Sequence, residues 1–192
     1  MTADALTLQS PFAALAATTF RRAPKRPMNE AKFETFYRKT AGSLWSYIYR
    51  MTGDPAMADD LLQKSFFRFL RSNPDIVDEN HLRHYLFKTA TNLVFDHFRE
   101  KKRDRQRVPD APPESRADHG ELRHDMKRAF AELKPQERVL LWLAHVEGSS
   151  HDEISEAIGV KSKSVRVMLF RARKRLADIL TKRGLAPEVR HG

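Results

Sequence analysis

Side chains able to perform catalysis are sparse in this sequence, and none of them forms a recognisable arrangement. None of the 192 residues is cysteine, so a thiolate nucleophile, a disulfide framework and a zinc finger are excluded. His81 and His84 have a spacing that suits a metal, but no third ligand follows at a suitable distance. Carboxylates are numerous without a catalytic pair, and no glycine-rich phosphate loop is present. The sequence therefore predicts no catalytic residues, no metal, no cofactor and no enzyme activity.

Basic side chains carry the clearest chemical pattern, because the net charge of +10 is unevenly distributed. Residues 160–183 contain nine basic and one acidic side chain, and residues 101–107 contain five basic and one acidic. Residues 135–159 are acidic, with five acidic side chains and one basic, whereas residues 29–100 are balanced. Clustered cations of this kind bind phosphate, which indicates nucleic acid as a partner.

The basic stretch near residue 170 belongs to a predicted helix-turn-helix over residues 148–180. Ser150 and Glu153 form a capping box that starts the first helix, and Gly159 ends it. Ser162 is predicted to cap the second helix. The second helix has an apolar stripe at helical spacing, formed by Val165, Leu169, Ala172, Leu176 and Ile179. Its other face is basic and carries Lys163, Arg166, Arg171, Lys174 and Arg175. A second helix of this type enters a DNA major groove; the alternative is a solvated basic helix without a ligand.

The sequence pattern predicts helices in most of the remaining chain. We therefore predict an all-α fold of two small helical domains joined by a flexible linker. Gly42, Gly53, Pro55 and Pro74 divide the first domain, residues 29–103, into helices near 30–51, 55–71 and 81–102. A proline-rich linker over 104–119, a second domain over 120–183 and a tail over 184–192 follow.

The N-terminal extension, residues 1–28, is rich in Ala and Thr and is predicted to be disordered, the alternative being a short docking helix. No apolar run reaches the length of a transmembrane helix, and no signal peptide pattern occurs. We therefore expect a cytoplasmic protein without membrane insertion.

Two helices of the first domain combine a core stripe with a polar face. Asp54 is predicted to cap the next helix, with Pro55 at its first position. This helix has a core stripe of Ala58, Leu62, Phe66 and Phe69, beside a mixed face of Asp60, Gln63, Lys64 and Phe67 that suits a partner protein. The next helix has a core stripe of Leu82, Leu86, Ala90, Leu93 and His97. Its residues Asn92, Asp96 and Arg99 share another face, where they form either a local Asp96–Arg99 pair or a surface for phosphates. Tyr85 and Phe87 lie nearby and are either buried or available to stack on unpaired bases.

These motifs resemble those of a known family. The run Ala58-Asp59-Asp60-Leu61-Leu62-Gln63, followed by Phe66, resembles region 2 of bacterial sigma factors, as does Tyr85-Leu86-Phe87 with Asn92, Asp96 and Arg99. The helix-turn-helix, introduced by Leu133-Lys134-Pro135-Gln136-Glu137-Arg138, resembles their region 4. With only these two regions, over residues 30–103 and 120–181, the chain resembles the extracytoplasmic-function (ECF) sigma factors of the sigma-70 family.

The resemblance implies that the protein binds core RNA polymerase, directs it to the −35 and −10 elements of promoter DNA, and is held by an anti-sigma factor. The implied polymerase-binding residues are Asp59, Asp60, Gln63, Lys64 and Phe67. Those implied for the −10 element are Asn80, Tyr85, Lys88, Asn92, Asp96, Arg99 and Arg103, with the loop from Asn73 to Asn80 capturing a flipped base. Those implied for the −35 element are Lys161, Lys163, Ser164, Arg166, Val167, Phe170, Arg171 and Lys174. The alternative function is a stand-alone helix-turn-helix regulator, for which the first domain would have no task.

Overall fold

The computed structural model of the protein describes residues 30–72, 74, 78–105 and 121–185, which contain seven helices and no strand. The predicted all-α class is confirmed for this part of the chain. The helices are α1 (Glu30–Thr52), α2 (Pro55–Ser72), α3 (Glu79–Arg105), α4 (Glu121–Ala131), α5 (Pro135–His145), α6 (His151–Ile158) and α7 (Ser162–Lys182). The predicted N-terminal extension, most of the linker and most of the tail lie outside the described residues.

A sharp turn between α1 and α2 sets the direction of α2. Gly53 ends α1 with a φ of 75°, a conformation that glycine adopts without steric cost. The Asp54 carboxylate then accepts hydrogen bonds from the backbone N–H groups of Ala56 (2.9 Å) and Met57 (3.2 Å), with Pro55 at the first helical position. The predicted cap of α2 is therefore confirmed.

Helices α1, α2 and α3 pack around one apolar core. Leu44, Ile48 and Met51 of α1 are fully buried, and the predicted stripes of α2 and α3 are buried apart from the half-buried Leu62 and His97. One polar pair lies inside this core, where the Tyr47 hydroxyl and the Thr91 hydroxyl are 2.8 Å apart. Burial raises the pKa of Tyr47, so this hydroxyl stays neutral.

Helices α4 to α7 form a second bundle that contains the helix-turn-helix. The Ser150 hydroxyl accepts from the Glu153 backbone N–H (3.3 Å), while the Glu153 carboxylate accepts from the Ser150 N–H (2.7 Å). Gly159 is left-handed with a φ of 70°, so the predicted capping box and helix stop are confirmed. The predicted cap at Ser162 is wrong, because the extended Lys161 is the N-cap and Ser162 is already helical. Lys161 has no side-chain cap bond, so α7 starts without the side-chain acceptor that we expected.

The two bundles are in contact, and α3 lies against α6. Arg83 of α3 donates to the Glu147 carboxylate (2.5 Å) in the turn before α6, and also to the Ser43 hydroxyl (3.1 Å). Lys88 of α3 pairs with Glu156 of α6 at 3.2 Å. The acidic segment 135–159 is thereby placed against the basic side of α3, which the sequence alone did not predict.

A second part of the contact joins α5 to α1 and α3. Arg138 donates to the backbone carbonyl of Met51 (2.6 Å), and its guanidinium lies 5.2 Å from the centre of the Phe98 ring. Trp142 packs against Tyr47 with 6.1 Å between ring centres. Three buried polar atoms at this interface have no hydrogen-bond partner among the described residues: His84 Nε2, Arg138 Nε and Trp142 Nε1. Such atoms are costly to bury, so this contact leaves polar groups unsatisfied.

Candidate nucleic-acid interface

Helix α7 presents one continuous exposed face. Its buried side, formed by Val165, Leu169, Ala172 and Ile179, packs into the second bundle, as the apolar stripe predicted. Ser164 is half-buried, and the other residues expected to read the −35 element are exposed: Lys161, Lys163, Arg166, Val167, Phe170, Arg171 and Lys174. From Lys163 to Lys174 these positions recur at helical spacing, so the structure brings them together on one side of α7.

The exposed face of α7 is cationic with an apolar centre. The helix contains seven basic side chains and one acidic. Arg175 pairs with Glu137 of α5 at 3.4 Å, so this basic residue is partly engaged in holding the bundle. Val167 is 50% exposed and Phe170 is 66% exposed, and their spacing of three residues places both on the basic face. The face offers cations for phosphates and guanine edges together with apolar surface for thymine methyl groups.

The residues expected to contact the −10 element lie mostly on one stripe of α3. Its members recur every three or four residues: Tyr85, Lys88, Asn92, Asp96, Arg99 and Arg103. Asn80 is exposed in the first turn of α3, away from this stripe, and residues 73 and 75–77 of the predicted base-capturing loop lie outside the described residues. The structure therefore assembles six of the seven expected positions.

Ion pairs occupy part of this stripe. Asp96 and Arg99 form a local ion pair, which is one of the two alternatives that the sequence predicts for them. Lys88 pairs with Glu156, so the second bundle covers one of the cations of the stripe. Asn92, Arg99 and Arg103 remain exposed.

Tyr85 and Phe87, the two aromatic residues of α3 considered for base stacking, have different environments. Phe87 is only 3% exposed and lies in the core against Tyr47, with Arg83 over its ring, so it is unavailable for base stacking. Its position between Leu86 and Lys88 gave no sequence signal that separated it from Tyr85. Tyr85 is half-buried, with its ring 6.1 Å from that of Phe69. Tyr85 is therefore the aromatic residue on this stripe that stays partly accessible.

The expected polymerase-binding residues share one side of α2. Asp59, Gln63, Lys64 and Phe67 are exposed, Asp60 is half-buried, and Phe67 is 65% exposed. Lys64 pairs with Asp60 at 2.7 Å, and the Trp45 indole N–H of α1 donates to Asp59 at 2.7 Å. Trp45 thereby fixes the Asp59 carboxylate, a role that sequence reasoning missed.

Leu70, one turn beyond Phe67, is 45% exposed and extends the apolar part of this surface. Its spacing of three residues from Phe67 was the available sequence signal.

His81 and His84 of α3, whose spacing suits a metal, each lie near one carboxylate. His81 lies 3.5 Å from Asp78, and His84 lies 3.9 Å from Glu153 across the bundle interface. Burial lowers the pKa of His84, against the opposing effect of Glu153. No group of three potential metal ligands occurs in the described part of the chain. Over the same residues, no helix is long and apolar enough to cross a membrane.

Comparison with known proteins accounts for both bundles. The sigma-70 region 2 family matches residues 36–104, and the sigma-70 region 4 family matches residues 123–176. The chain belongs to the sigma-70 family, in its ECF group. The ECF RNA polymerase sigma factor SigE of Mycolicibacterium smegmatis is 31% identical over 160 residues, which are 78% of this chain and 62% of that relative. The RNA polymerase sigma-E factor of Streptomyces avermitilis is 27% identical over 80% of this chain and 88% of its own length.

The fold of this ECF sigma factor is also similar to a solved structure. The sigma factor RpoE from Bartonella quintana, solved in complex with the anti-sigma factor NepR, superposes with a TM-score of 0.67 at 21% identity. The match covers 78% of this chain and 96% of that one. At this identity the similarity establishes the fold.

Proposed function

We propose that this protein is an RNA polymerase sigma factor of the ECF type, which binds core polymerase and directs it to promoters through their −35 and −10 elements. The observation that carries the proposal is the presence of both sigma-70 regions in one chain. Exposed polar and basic side chains on α2, α3 and α7 support it, because they leave these helix faces available to partners. Its work is binding and positioning, so the chemistry of transcription belongs to the polymerase. Acting with polymerase, it works in the cytoplasm.

In this proposal α7 reads the −35 element as duplex DNA. Its N-terminal half enters the major groove, where Lys163 contacts the phosphates and Arg166 contacts phosphates or guanine edges. The exposed Val167 and Phe170 select against bases that offer no apolar surface there.

Helix α3 binds the −10 element, where the strands open. Arg99 and Arg103 hold the backbone, Asn92 contacts a base edge, and the ring of the half-buried Tyr85 stacks on an unpaired base. Helix α2 holds polymerase through Asp59, Asp60, Gln63, Lys64 and Phe67, with Phe67 as its apolar anchor.

The docked bundles must separate for both elements to be read at once. The names of the −35 and −10 elements place them about 25 base pairs apart, which is roughly 85 Å of duplex. A compact globule of about 140 residues has a radius of gyration of only about 14 Å. The contact of α3 with α6 therefore describes a form of the protein that is not engaged with a promoter.

We also propose an anti-sigma factor as a partner. Support comes from the structurally similar RpoE, which was solved with the anti-sigma factor NepR. Val167, Phe170 and Phe67 are exposed apolar side chains that a regulatory protein would cover.

Run-off transcription with core polymerase and a pool of promoters tests the proposal. We expect new start sites when the protein is added, and loss of both start sites and polymerase pull-down with Asp60→Lys. Glu34→Lys is the matched control, because Glu34 is an exposed α1 residue paired with Arg38, and the change in charge is the same. A stand-alone regulator would instead bind duplex DNA tightly without polymerase. Absence of new start sites, together with unchanged pull-down for Asp60→Lys, would overturn the proposal.

A further inference from the structure

An open groove of about 830 Å³ runs between α2 and α3. Five basic side chains line it, Lys64 and Arg68 from α2 and Arg99, Lys102 and Arg103 from α3. A groove bordered by cations on both walls concentrates anions more strongly than an isolated surface charge does.

The carboxylates of the groove neutralise only part of this charge. Asp60 is paired with Lys64 at 2.7 Å, and Asp96 is paired with Arg99. Glu100 is the remaining acidic residue of the lining. Arg68, Lys102 and Arg103 form no ion pair with any residue that the structure describes. The groove therefore has three unpaired cations and one unpaired carboxylate. This excess of positive charge favours the binding of a polyanion.

The groove connects the two working surfaces of the first bundle. Its α3 wall includes Arg99 and Arg103 of the −10 stripe, and its α2 wall includes Asp60 and Lys64 of the polymerase-binding side. The α3 residues that meet the second bundle, Arg83 and Lys88, are not part of its lining. Among the described residues, the second bundle therefore leaves the groove uncovered, and the groove adjoins the α3 stripe.

We propose that the groove binds the phosphodiester backbone of promoter DNA, and that Arg68 supplies a phosphate contact from α2. The proposal rests on the proposed function, because it takes the α3 stripe to be a DNA surface. An exposed guanidinium donates several hydrogen bonds in a planar arrangement that matches phosphate oxygens. Contacts of this kind fix the path of the DNA and carry no sequence information.

The test measures equilibrium binding of holoenzyme to a labelled promoter between about 0.05 and 0.2 M salt, with wild-type protein, Arg68→Ala, Arg68→Lys and Arg71→Ala. Arg71 is the matched control, because it is an exposed arginine of α2 that does not line the groove. Loss of one phosphate contact reduces the slope of log affinity against log salt by about one, which is roughly eightfold in affinity at 0.1 M salt. We expect this result for Arg68→Ala, little change for Arg71→Ala, and substantial recovery with Arg68→Lys, which keeps the charge.

Two further measurements separate the occupants of the groove. Because phosphate contacts are not sequence-specific, Arg68→Ala must weaken promoters with intact and altered −10 elements by the same factor. Pull-down of core polymerase without DNA must be unchanged. A salt slope equal to that of wild type would overturn the proposal, and so would weaker polymerase binding, since the groove would then be a polymerase contact. Failure of the wild-type holoenzyme to bind promoters selectively would contradict the proposed function itself.

Discussion

At the scale of single residues, α7 carries two kinds of exposed side chain with different consequences for DNA recognition. Phe170 is 66% exposed and packs against little of its own protein, so Phe170→Ala should change the free energy of unfolding by less than about 0.5 kcal/mol. We expect it to relax base preference at one promoter position, by about 1–3 kcal/mol of discrimination. Lys163→Ala is the contrasting variant and should weaken all promoters alike. Binding measured on a panel of single-base −35 variants checks both results.

His84 makes the stability of the docked form depend on pH. Burial lowers its pKa; the nearby Lys88 and His81 act in the same direction, and Glu153 and Glu156 oppose it. The docked form therefore binds fewer protons than the unfolded chain, so its stability is complete above about pH 6.5 and falls as the pH decreases through the lowered pKa.

The effect of His84 can be separated from that of His97, whose pKa burial also lowers. Urea unfolding at a series of pH values should show stability decreasing below about pH 6.5, with a smaller decrease for His84→Gln. The remaining dependence should come from His97 and, at lower pH, from Glu153, because the backbone hydrogen bond with Ser150 lowers the pKa of this carboxyl. An identical pH dependence of the two proteins would show that His84 is not held neutral by the interface.

At the scale of elements, the turn of the helix-turn-helix depends on one left-handed glycine. A Cβ at Gly159 would meet nothing within 4 Å, so the cost of Gly159→Ala comes from its φ of 70° alone. We expect a loss of about 1–2 kcal/mol. Gly42→Ala is the control, because Gly42 also has open space but lies within α1, where alanine should stabilise by about 0.5–1 kcal/mol. Thermal unfolding distinguishes these opposite signs.

Local signals were sufficient to predict most elements. The Asp54–Pro55 start of α2, the Ser150–Glu153 box and the Gly159 stop act through neighbouring residues, and the sequence contains everything they need. The Ser162 side chain suits a cap, which would start α7 at Lys163. A solvated N-terminus needs no side-chain acceptor, and α7 begins one residue earlier, at Ser162. Phe87 was ambiguous because its burial depends on Tyr47, which is distant in sequence.

At the scale of the whole molecule, the contact between the bundles could not be predicted from the sequence. It depends on pairs separated by more than sixty positions, such as Arg83 with Glu147 and Lys88 with Glu156. The sequence showed only that residues 135–159 are acidic, without indicating what they face. The positions of the −35, −10 and polymerase residues on their helices followed from helical spacing, but their functional roles stay predictions.

Charge reversal at Glu147 should open the docked form. The Glu147 side chain is only 5% exposed and receives the Arg83 guanidinium, so Glu147→Lys places two cations together at a nearly dry position. We expect a larger radius of gyration in small-angle scattering, unchanged helix content, and tighter binding of promoter DNA by the isolated chain. Glu132→Lys is the control, since Glu132 pairs with Arg183 inside the second bundle. If both variants scatter alike, Glu147 does not hold the bundles together.

Two acidic residues, Glu156 of α6 and Glu147 in the turn before it, also change how ions respond when DNA binds. Glu147 and Glu156 lie against Arg83 and Lys88, so these cations have already shed their own mobile anions before any phosphate approaches. DNA that displaces this acidic segment frees its carboxylates, which then attract cations. The net release of small ions is therefore smaller than the number of phosphate contacts would give. The isolated chain should therefore show a shallower salt dependence of DNA binding than its Glu147→Lys variant. Glu147 and Glu156 therefore act as counterions for Arg83 and Lys88 of α3.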